Sequence, residues 1–322
     1  MKSIENTQKE VIENIQNLHF EGSPQNLYEP LNYILSIGGK RIRPLLCVLI
    51  CDIMNGNKEA ALKAGQAVEV FHNFSLIHDD IMDGADVRRN KATVHKKWNV
   101  SNAILSGDLM LVKAYEIMLE LPDDSKIECL KMLLDTSKKV CEGQQFDMNF
   151  ETENHIEMQQ YIEMIKLKTA VLLGCSLWCG TYIATQDKSL ANKLYEFGCL
   201  VGIGFQIWDD YLDTFGETAQ VGKRIGGDII ANKKTYLLIK ALELADEIDA
   251  KIINELYNTT SENETEKIIT ITKLFQKLEV DKIAKAEMEN YFQKANAILA
   301  TIPNYNFEPL QSNIKGLQNR NH

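Results

Sequence analysis

The chain is poor in proline and in alternating apolar runs. Only six of its 322 residues are proline, and none lies between Pro122 and Pro303, so this long stretch is free of the strongest helix breaker. Apolar residues recur at helical spacing in nearly every window, whereas valine-rich alternating runs bounded by turn residues are missing. No linker rich in serine, glycine or proline divides the chain. We therefore expect an all-α protein in which residues 1–322 form a single domain.

Positive charge is also scarce. The net charge is −10, which argues against a nucleic-acid partner because such partners require a basic face. No apolar run approaches the roughly 18 residues that predict a membrane-spanning helix, and the N-terminus lacks the charged-then-apolar pattern of a signal peptide. The sequence predicts a cytoplasmic protein without an integral membrane segment.

The seven cysteines do not form C-x-x-C pairs. Cys47 and Cys51, like Cys175 and Cys179, lie four residues apart in apolar helical stretches, and few histidines lie near enough to complete a zinc site. We interpret them as buried free thiols in a reducing compartment. A Walker-type G-x-x-x-x-G-K-[ST] motif is missing as well, which disfavours a nucleoside triphosphate as substrate.

Against this background two acidic motifs stand out. Both contain D-D-x-x-D inside an otherwise apolar segment, and on a helix residues four apart share one face. Asp79 therefore lies on the same helix face as Asp83, and Asp209 lies on the same face as Asp213. A solvated helix face would explain one such motif, but a second copy in the same apolar setting favours sites for hard cations. Oxygen ligands that leave room for phosphate oxygens suit Mg²⁺ best.

Basic residues lie where they could hold phosphate groups. The cluster Lys40–Arg43 precedes an apolar helix that Pro44 is predicted to open, and the free N–H groups at a helix N-terminus favour an anion. Arg88 and Arg89 follow the first acidic motif in a polar turn, and the arginine fork matches phosphate oxygens. The sequence thus predicts a site that handles diphosphates.

A glycine-rich stretch interrupts the helical pattern after the second acidic motif. It runs from Phe215 to Asp228, contains Lys223 and Arg224, and is followed by two further lysines in Asn232–Thr235. Glycines and cations next to a carboxylate motif predict a loop that closes over phosphate.

Together these motifs resemble those of the trans-type polyprenyl diphosphate synthases, the family of farnesyl and geranylgeranyl diphosphate synthases. The matching segments, in the family's order, are Gly38–Pro44, His78–Asp83 with Arg88 and Arg89, Gly143–Asp147, Lys168 with Thr169, Gly204–Asp213, and Lys223 with Lys233. The resemblance implies an all-α, isoprenoid-synthase-type helical bundle around a deep apolar tunnel, usually homodimeric. It also implies a Mg²⁺-dependent condensation of isopentenyl diphosphate with an allylic diphosphate.

The resemblance also implies a role for each matching residue. Three Mg²⁺ ions would hold the allylic diphosphate through Asp79, Asp83 and Asp209, with Asp80, Asp210 and Asp213 in the outer shell. The same diphosphate would contact Arg88, Lys168, Lys223 and Lys233. Isopentenyl diphosphate would be bound by Lys40, Arg43, His72 and Arg89. Thr169 and Gln206 would steady the carbocation and the departing group, and Gln144 is a further substrate-binding candidate.

Product length depends on the residues just before the first acidic motif. In the family, the residues four and five positions before the first aspartate help to form the tunnel floor, and here these are Ser75 and Phe74. One aromatic residue, without an insertion in the motif, resembles the geranylgeranyl type and predicts a C20 product. Phe71 lies one turn below Ser75 and could close the tunnel further, which would give the C15 farnesyl product.

Other readings stay open at this point. A longer-chain synthase would differ only in product length. A class I terpene cyclase would share the helices and one D-D-x-x-D motif, but it is not expected to carry the Lys40–Arg43 cluster or the second motif. A non-catalytic subunit of a heteromeric synthase would be favoured by a broken motif, and both are intact. Glu69 and His72 match half the signature of di-iron bundles, without a second half.

Overall fold

The computed structural model describes residues 4–216, 225–258 and 263–319, and it confirms the predicted all-α class. The first helices are α1 (Ile4–Gln16), α2 (Gln25–Ser36), α3 (Ile42–Ile53), α4 (Lys58–Met82), α5 (Val94–Lys97), α6 (Val100–Leu119) and α7 (Lys126–Thr152). These are followed by α8 (Met158–Ile165), α9 (Val171–Thr185), α10 (Lys188–Phe215), α11 (Gly227–Ile230) and α12 (Tyr236–Leu244). The last are α13 (Glu247–Asn258), α14 (Glu264–Lys277), α15 (Val280–Ala300) and α16 (Glu308–Asn319).

The chain forms two compact units. Unit 1 comprises Met1–Thr136, Cys175–Tyr195 and Ile302–Leu310, and unit 2 comprises Ser137–Gly174, Glu196–Thr301 and Gln311–His322. Within unit 1, α4 packs most extensively against α6 and α3. Within unit 2, α12 packs against α8, α14 and α15. The single domain and the apolar tunnel stay predictions.

Helix α4 carries the first acidic motif, and its two ends have clear causes. The Asn57 side chain caps the N-terminus by accepting a hydrogen bond from the Ala60 N–H at 3.1 Å, which satisfies one of the free donors there. At the other end Gly84 adopts φ 62, the left-handed conformation that commonly ends a helix. Between them, the middle of α4, residues 64–71, is buried on every side, and the rest of the helix is buried only in part. Both ends of α4 are therefore set by residues that lie next to the helix in the chain.

The basic cluster before α3 differs from the prediction. The helix begins at Ile42, so Pro44 is its third residue and Arg43 lies inside the first turn. The reason is Arg41, which adopts a left-handed φ of 48 and is buried. Its guanidinium donates to the Glu69 carboxylate on α4 and to the Leu35 carbonyl. Glu69, which matched half a di-iron signature, is thus the partner of a buried arginine.

The polar turn predicted after the first acidic motif contains a short hairpin. Strands β1 (Val87–Arg88) and β2 (Lys91–Ala92) are antiparallel, with Arg88 opposite Lys91. Arg89 and Asn90 between them both have positive φ, as a two-residue type I′ turn requires. The hairpin directs Arg88 and Arg89 to different partners.

The apolar stretch from Ile156 to Ala184 does not form one continuous α-helix. Residues Lys166–Ala170 form a π-helical segment between α8 and α9, in which the Val171 N–H donates to the Lys166 carbonyl. In the described part of the chain, one helical stretch, Met158–Thr185, is long and apolar enough to cross a membrane. Within it, 83% of the most apolar window is buried in the protein, as in a core helix.

All seven cysteines are free thiols. Six of them are buried, as predicted for the pairs in apolar helices, but Cys141 on α7 is exposed.

Candidate active site

The first acidic motif separates its carboxylates by burial. Asp80 is almost fully buried, with 1% of its side chain exposed, and it accepts hydrogen bonds from Arg88 Nε at 2.9 and 3.0 Å. Burial raises the pKa of Asp80, and the Arg88 guanidinium opposes part of that rise. Asp79 is partly open and Asp83, at the end of α4, is exposed. Asp80 therefore anchors the hairpin, whereas the Asp79 side chain is partly exposed and the Asp83 side chain is exposed.

A second group in unit 1 joins the basic cluster to α4. Arg43 Nη1 lies 3.1 Å from His72 Nε2, and burial, followed by the charge of Arg43, holds the pKa of His72 well below its usual value. A neutral His72 can accept a hydrogen bond from the guanidinium. Arg43 Nε is buried and has no acceptor among the described residues. An anion beside Arg43 would supply that acceptor.

The other two cations assigned to this group are more open. The Arg89 guanidinium donates to the Gly38 carbonyl, and a Cβ on Gly39 would lie 2.7 Å from Arg89 Nη1. Gly39 also has φ 141, a conformation that residues with a side chain rarely adopt, so glycine is favoured there by its backbone. Lys40 is exposed. The glycine pair thus lets the loop close around Arg89.

The candidate chain-length residues form one aromatic cluster on α4. The rings of Phe71 and Phe74 lie 5.5 Å apart between centroids, and Phe74 meets His78 edge-on at 4.9 Å. Both phenylalanines are buried. The Ser75 hydroxyl donates to the His72 carbonyl at 2.8 Å, so it is satisfied within the helix. Phe74 is therefore held on both sides.

The second acidic motif, in unit 2, repeats the division seen in the first. Asp210 is buried, and it accepts hydrogen bonds from the Tyr161 hydroxyl at 2.5 Å, the Tyr236 N–H at 2.9 Å and Gln206 Nε2 at 3.3 Å. Burial raises the pKa of Asp210 to about 7. Asp209 is exposed. Asp210 thus ties α10 to α8 and to the start of α12.

Asp213, the last carboxylate of this motif, holds the segment that follows the glycine-rich stretch. Its Oδ2 accepts the Asp228 N–H at 2.9 Å, and its carbonyl accepts the Gly226 N–H at 2.7 Å. Lys233 Nζ lies 3.9 Å from Asp228 Oδ1. Lys223, the other lysine predicted to bind diphosphate here, lies outside the described residues.

The π-helical segment positions Lys168 and Thr169. Lys168 Nζ donates to Asp147 Oδ2 at 2.5 Å. The Thr169 hydroxyl donates to Gln206 Oε1 at 3.3 Å, and Gln206 in turn contacts Asp210. A π-helical turn inside an α-helix often marks a functional position. Here it lies where two predicted catalytic residues are adjacent in the chain.

Two glycines make room for this wider turn. A Cβ on Gly143 of α7 would lie 2.2 Å from the backbone nitrogen of Lys168, and one on Gly202 of α10 would lie 2.6 Å from Ala170 Cα. These approaches are too close for any side chain. Gln144, the residue after Gly143, is half-buried.

Some residues of this arrangement were not predicted from the sequence. Tyr161 lies outside the acidic motifs and reaches Asp210 only through folding, and the pairing of Arg41, in the basic cluster, with Glu69 was not predicted. Asp147 ends the matching segment Gly143–Asp147, but its ion pair with Lys168 was not predicted. Asp228 is the last residue of the glycine-rich stretch, and nothing else in the sequence indicated a role for it.

The carboxylates suit a hard divalent cation. Asp79 and Asp83 are one turn apart at the open end of α4, and Asp209 and Asp213 are spaced in the same way on α10. Such oxygen ligands match Mg²⁺ that shares its coordination with phosphate and water. In the part of the chain that the structure describes, no group of three or more His, Cys, Asp or Glu residues forms a closed metal site. Metal ligation by these residues therefore stays a prediction.

A separate cavity of about 750 Å³ lies in unit 2. It is lined by the residues before and at the start of α8 together with α12 and α13, and includes Lys234 and Tyr257. None of the predicted site residues lines it.

Comparison with known proteins gives consistent matches. The family model for polyprenyl synthetase matches residues 24–274. The chain is 36% identical over 301 residues to a geranylgeranyl pyrophosphate synthase of Geoglobus acetivorans, covering 93% of this chain and 92% of that protein. It is 39% identical over 228 residues to a geranylgeranyl diphosphate synthase of Methanosarcina mazei, covering 70% of each. A crystal structure of a geranylgeranyl pyrophosphate synthase matches with a TM-score of 0.93 and 39% identity over 99% of both chains.

We expect Gly143→Ala to displace the π-helical segment, because the added methyl group meets backbone that cannot move away as a side chain would. The free energy of unfolding should fall by about 2 kcal/mol or more, as measured by urea unfolding. Gly316→Ala on α16 is the control, because a Cβ there meets nothing within 4 Å and alanine favours a helix. If both variants were as stable as the original chain, the close packing of α7 on Lys168 would be wrong.

We expect the free energy of unfolding to fall at acid pH partly because of His72. Because the folded-state pKa of His72 is lowered, its contribution is complete above the unfolded value of about 6.5 and is lost as the pH falls below it. His72→Gln should therefore lose less unfolding free energy than the original chain between about pH 7.5 and pH 5, measured without substrates. The exposed His19, changed to Gln, serves as control. Equal losses in all three proteins would contradict the burial of a neutral His72.

Proposed function

The chain belongs to the polyprenyl synthetase family, and we propose that it is a short-chain all-trans prenyltransferase whose main product is geranylgeranyl diphosphate. It would condense isopentenyl diphosphate with allylic diphosphates head to tail. The observation that carries this proposal is the shared design of the two acidic motifs. In each, one buried carboxylate (Asp80 or Asp210) is satisfied by the protein, while Asp79, Asp83 and Asp209 are partly or fully exposed.

The partly or fully exposed carboxylates are the proposed metal ligands. The family uses a divalent metal to bind diphosphate, and we assign three Mg²⁺ ions to Asp79, Asp83 and Asp209. Bound Mg²⁺ would neutralise charge on a departing diphosphate. Asp80 and Asp210 are assigned supporting roles because their oxygens already accept hydrogen bonds from the chain. Asp213 supports the segment from Gly226 to Lys233 in the same way.

Four cations are proposed to hold the allylic diphosphate, namely Arg88, Lys168, Lys223 and Lys233. Three of them lie in the described residues, and each is held by a carboxylate: Arg88 by Asp80, Lys168 by Asp147 and Lys233, more loosely, by Asp228. These pairs keep long side chains extended near the motifs, which reduces the conformational entropy lost on binding. Thr169 and Gln206 are proposed to steady the carbocation and the departing group.

Isopentenyl diphosphate is assigned to Lys40, Arg43, His72 and Arg89, with Gln144 as a further substrate contact. Support comes from Arg43, whose buried Nε still needs an acceptor, and from His72, which stays neutral. A neutral imidazole can either accept from Arg43 or donate to a phosphate oxygen. This group holds an anion without metal ligands.

The proposed reaction begins when the allylic carbon–oxygen bond breaks and leaves an allylic cation and diphosphate. The isopentenyl double bond attacks that cation, a new carbon–carbon bond forms, and the resulting cation loses a proton to the released diphosphate. Arg88, Lys168 and Lys233 stabilise the leaving group as its charge develops. Arg43 and His72 orient the isopentenyl diphosphate, so the attack is effectively unimolecular.

Product length is proposed to be set by Phe74. Its ring is held between Phe71 and His78, so it is fixed well enough to limit a growing chain. Because Phe71 packs directly against it, a farnesyl product is the alternative, with Phe71 as the limiting residue.

A homodimer is proposed from the surface of α6. Leu105, Val112 and Leu119 repeat every seven residues and are 59%, 50% and 48% exposed. Exposed apolar residues that repeat along one helix face are typical of an interface.

We further propose a cytoplasmic location, which is supported by seven free thiols and by burial of the most apolar helical stretch.

The proposed activity is tested by incubating purified protein with Mg²⁺, labelled isopentenyl diphosphate and each allylic diphosphate in turn. Products are dephosphorylated and sized by chromatography, and we expect mainly the C20 alcohol. A C15 product would indicate Phe71 as the limiting residue, and C30 or longer would contradict the chain-length argument. No elongation by folded protein would overturn the synthase assignment and favour a non-catalytic partner subunit.

Shortening Phe74 should lengthen the product. Phe74→Ala removes the ring that is proposed to stop the chain, so we expect the main product to shift from C20 to C25 or longer in the same assay. Phe71→Ala is the matched comparison, since it removes a neighbouring buried ring of equal size. Thermal melting of both variants checks that they fold. If Phe71→Ala lengthened the product and Phe74→Ala did not, the assignment would be reversed.

A further inference from the structure

Helix α14 carries a buried lysine that the proposed reaction does not use. Lys267 is only 3% exposed, and in the described ranges no carboxylate lies within ion-pair distance of it. A buried ammonium without a carboxylate is costly and is seldom found without a specific cause. Consistent with that cost, burial lowers the pKa of Lys267.

The contacts of Lys267 point to one neighbouring turn. Its Nζ donates to Oδ1 of Asn232 and lies 5.4 Å from the centre of the Tyr257 ring, within the range of a cation–π interaction. Asn232 has φ 56, a left-handed conformation that asparagine tolerates better than most residues. The residue after it is Lys233, which is proposed to hold the allylic diphosphate.

The segment that leads to Asn232 is held at its beginning by Asp213. Gly226 donates to the Asp213 carbonyl and Asp228 to the Asp213 carboxylate. Ile268, the neighbour of Lys267, packs on Gly226, where a Cβ would lie 2.8 Å from it. Consecutive residues of α14 therefore contact both ends of the segment from Gly226 to Asn232, and Asp213 fixes its start.

We propose that Lys267 is a positioning residue for the allylic diphosphate, which acts by holding the Asn232 side chain and so the turn that presents Lys233. This inference rests on the proposed function. Lys267 is too deeply buried to contact substrate itself. Its four-carbon side chain reaches from α14 to the turn, and its charge makes the hydrogen bond to Asn232 stronger than one between neutral groups.

The position of the contact predicts a selective effect on binding. In Lys267→Met the side chain keeps nearly its length and loses the ammonium group, so the Asn232 side chain loses its contact with α14. The Lys233 N–H still donates to the Asp228 carbonyl at 2.9 Å, so the turn stays formed but is held less firmly. Because a hydrogen bond from a charged group contributes about one to two factors of ten in an equilibrium, we expect the KM for the allylic diphosphate to rise about tenfold. The KM for isopentenyl diphosphate should stay within about twofold, because its proposed contacts Arg43 and His72 are on α3 and α4 and not on this turn.

Variants of Asn232 test whether Lys267 acts through this residue. Asn232→Gly removes the acceptor and tolerates the positive φ, so it should reproduce the effect of Lys267→Met. The double variant should then be no worse than either single one. Asn232→Asp keeps the acceptor oxygen and should behave like the original chain. Lys273→Met, an exposed lysine on the same helix, is the matched control and should change neither KM.

The experiment measures both KM values for each variant, together with calorimetric binding of an unreactive allylic thiolodiphosphate with Mg²⁺. Melting temperatures identify any variant that does not fold, and Asn232→Gly then still tests the contact. Equal changes in the two KM values, no change in either, or additive effects in the double variant would overturn the inference. An original chain that forms no product would instead contradict the proposed function, so the two failures can be told apart.

Discussion

A carboxylate cannot be buried in a protein without partners, and this constraint organises both acidic motifs. Asp80 is buried and is satisfied by Arg88, and Asp210 is buried and is satisfied by Tyr161, Tyr236 and Gln206. Each buried carboxylate bridges the elements around it, because its oxygens are satisfied only when those elements are in place. Of the other carboxylates, Asp83 and Asp209 are exposed, Asp79 is partly exposed, and Asp213 accepts the Asp228 N–H.

Unit 2 adds a second constraint, which is close backbone packing. The π-helical segment at Lys166–Ala170 is wider than an α-helical turn, so its neighbours must come close without side chains, and Gly143 and Gly202 meet that need. The arrangement places Lys168 beside Asp147 and Thr169 beside Gln206. In this unit, the positions of Lys168 and Thr169, which are proposed to be catalytic, therefore depend on two residues that have no functional groups of their own.

Cations in this protein are held by partners of quite different kinds. Arg41 is fixed by a buried carboxylate, Arg43 by a neutral imidazole, and Lys267 by an amide and an aromatic ring. The ion pair between Arg41 and Glu69 is buried and supports the fold. The second arrangement leaves a donor of Arg43 unsatisfied, which suits a residue that awaits an anion. Burial and partner chemistry together thus separate cations that support the fold from those that can bind substrate.

Much of the fold could be predicted from the sequence because helical periodicity and capping are local. The bounds of α4 and the all-α class follow from apolar spacing, from Asn57 and from Gly84. The break at Lys166–Ala170 could not be predicted, because it depends on glycines in two other helices. The start of α3 was misplaced for a similar reason, since Arg41 adopts its conformation to reach Glu69 on α4.

The sequence by itself determined which carboxylates share a helix face and are proposed to carry the chemistry, because D-D-x-x-D spacing puts them on one face whatever surrounds them. Only the tertiary structure decided how the members of each motif differ. Asp79 and Asp80 are neighbours in the chain, yet the Asp79 side chain is partly exposed and the Asp80 side chain is buried against Arg88. The difference arises because burial depends on what packs against each side of the helix. Sequence spacing fixes the direction of a side chain from its helix, whereas its exposure, its partners and its pKa depend on residues that only folding brings near.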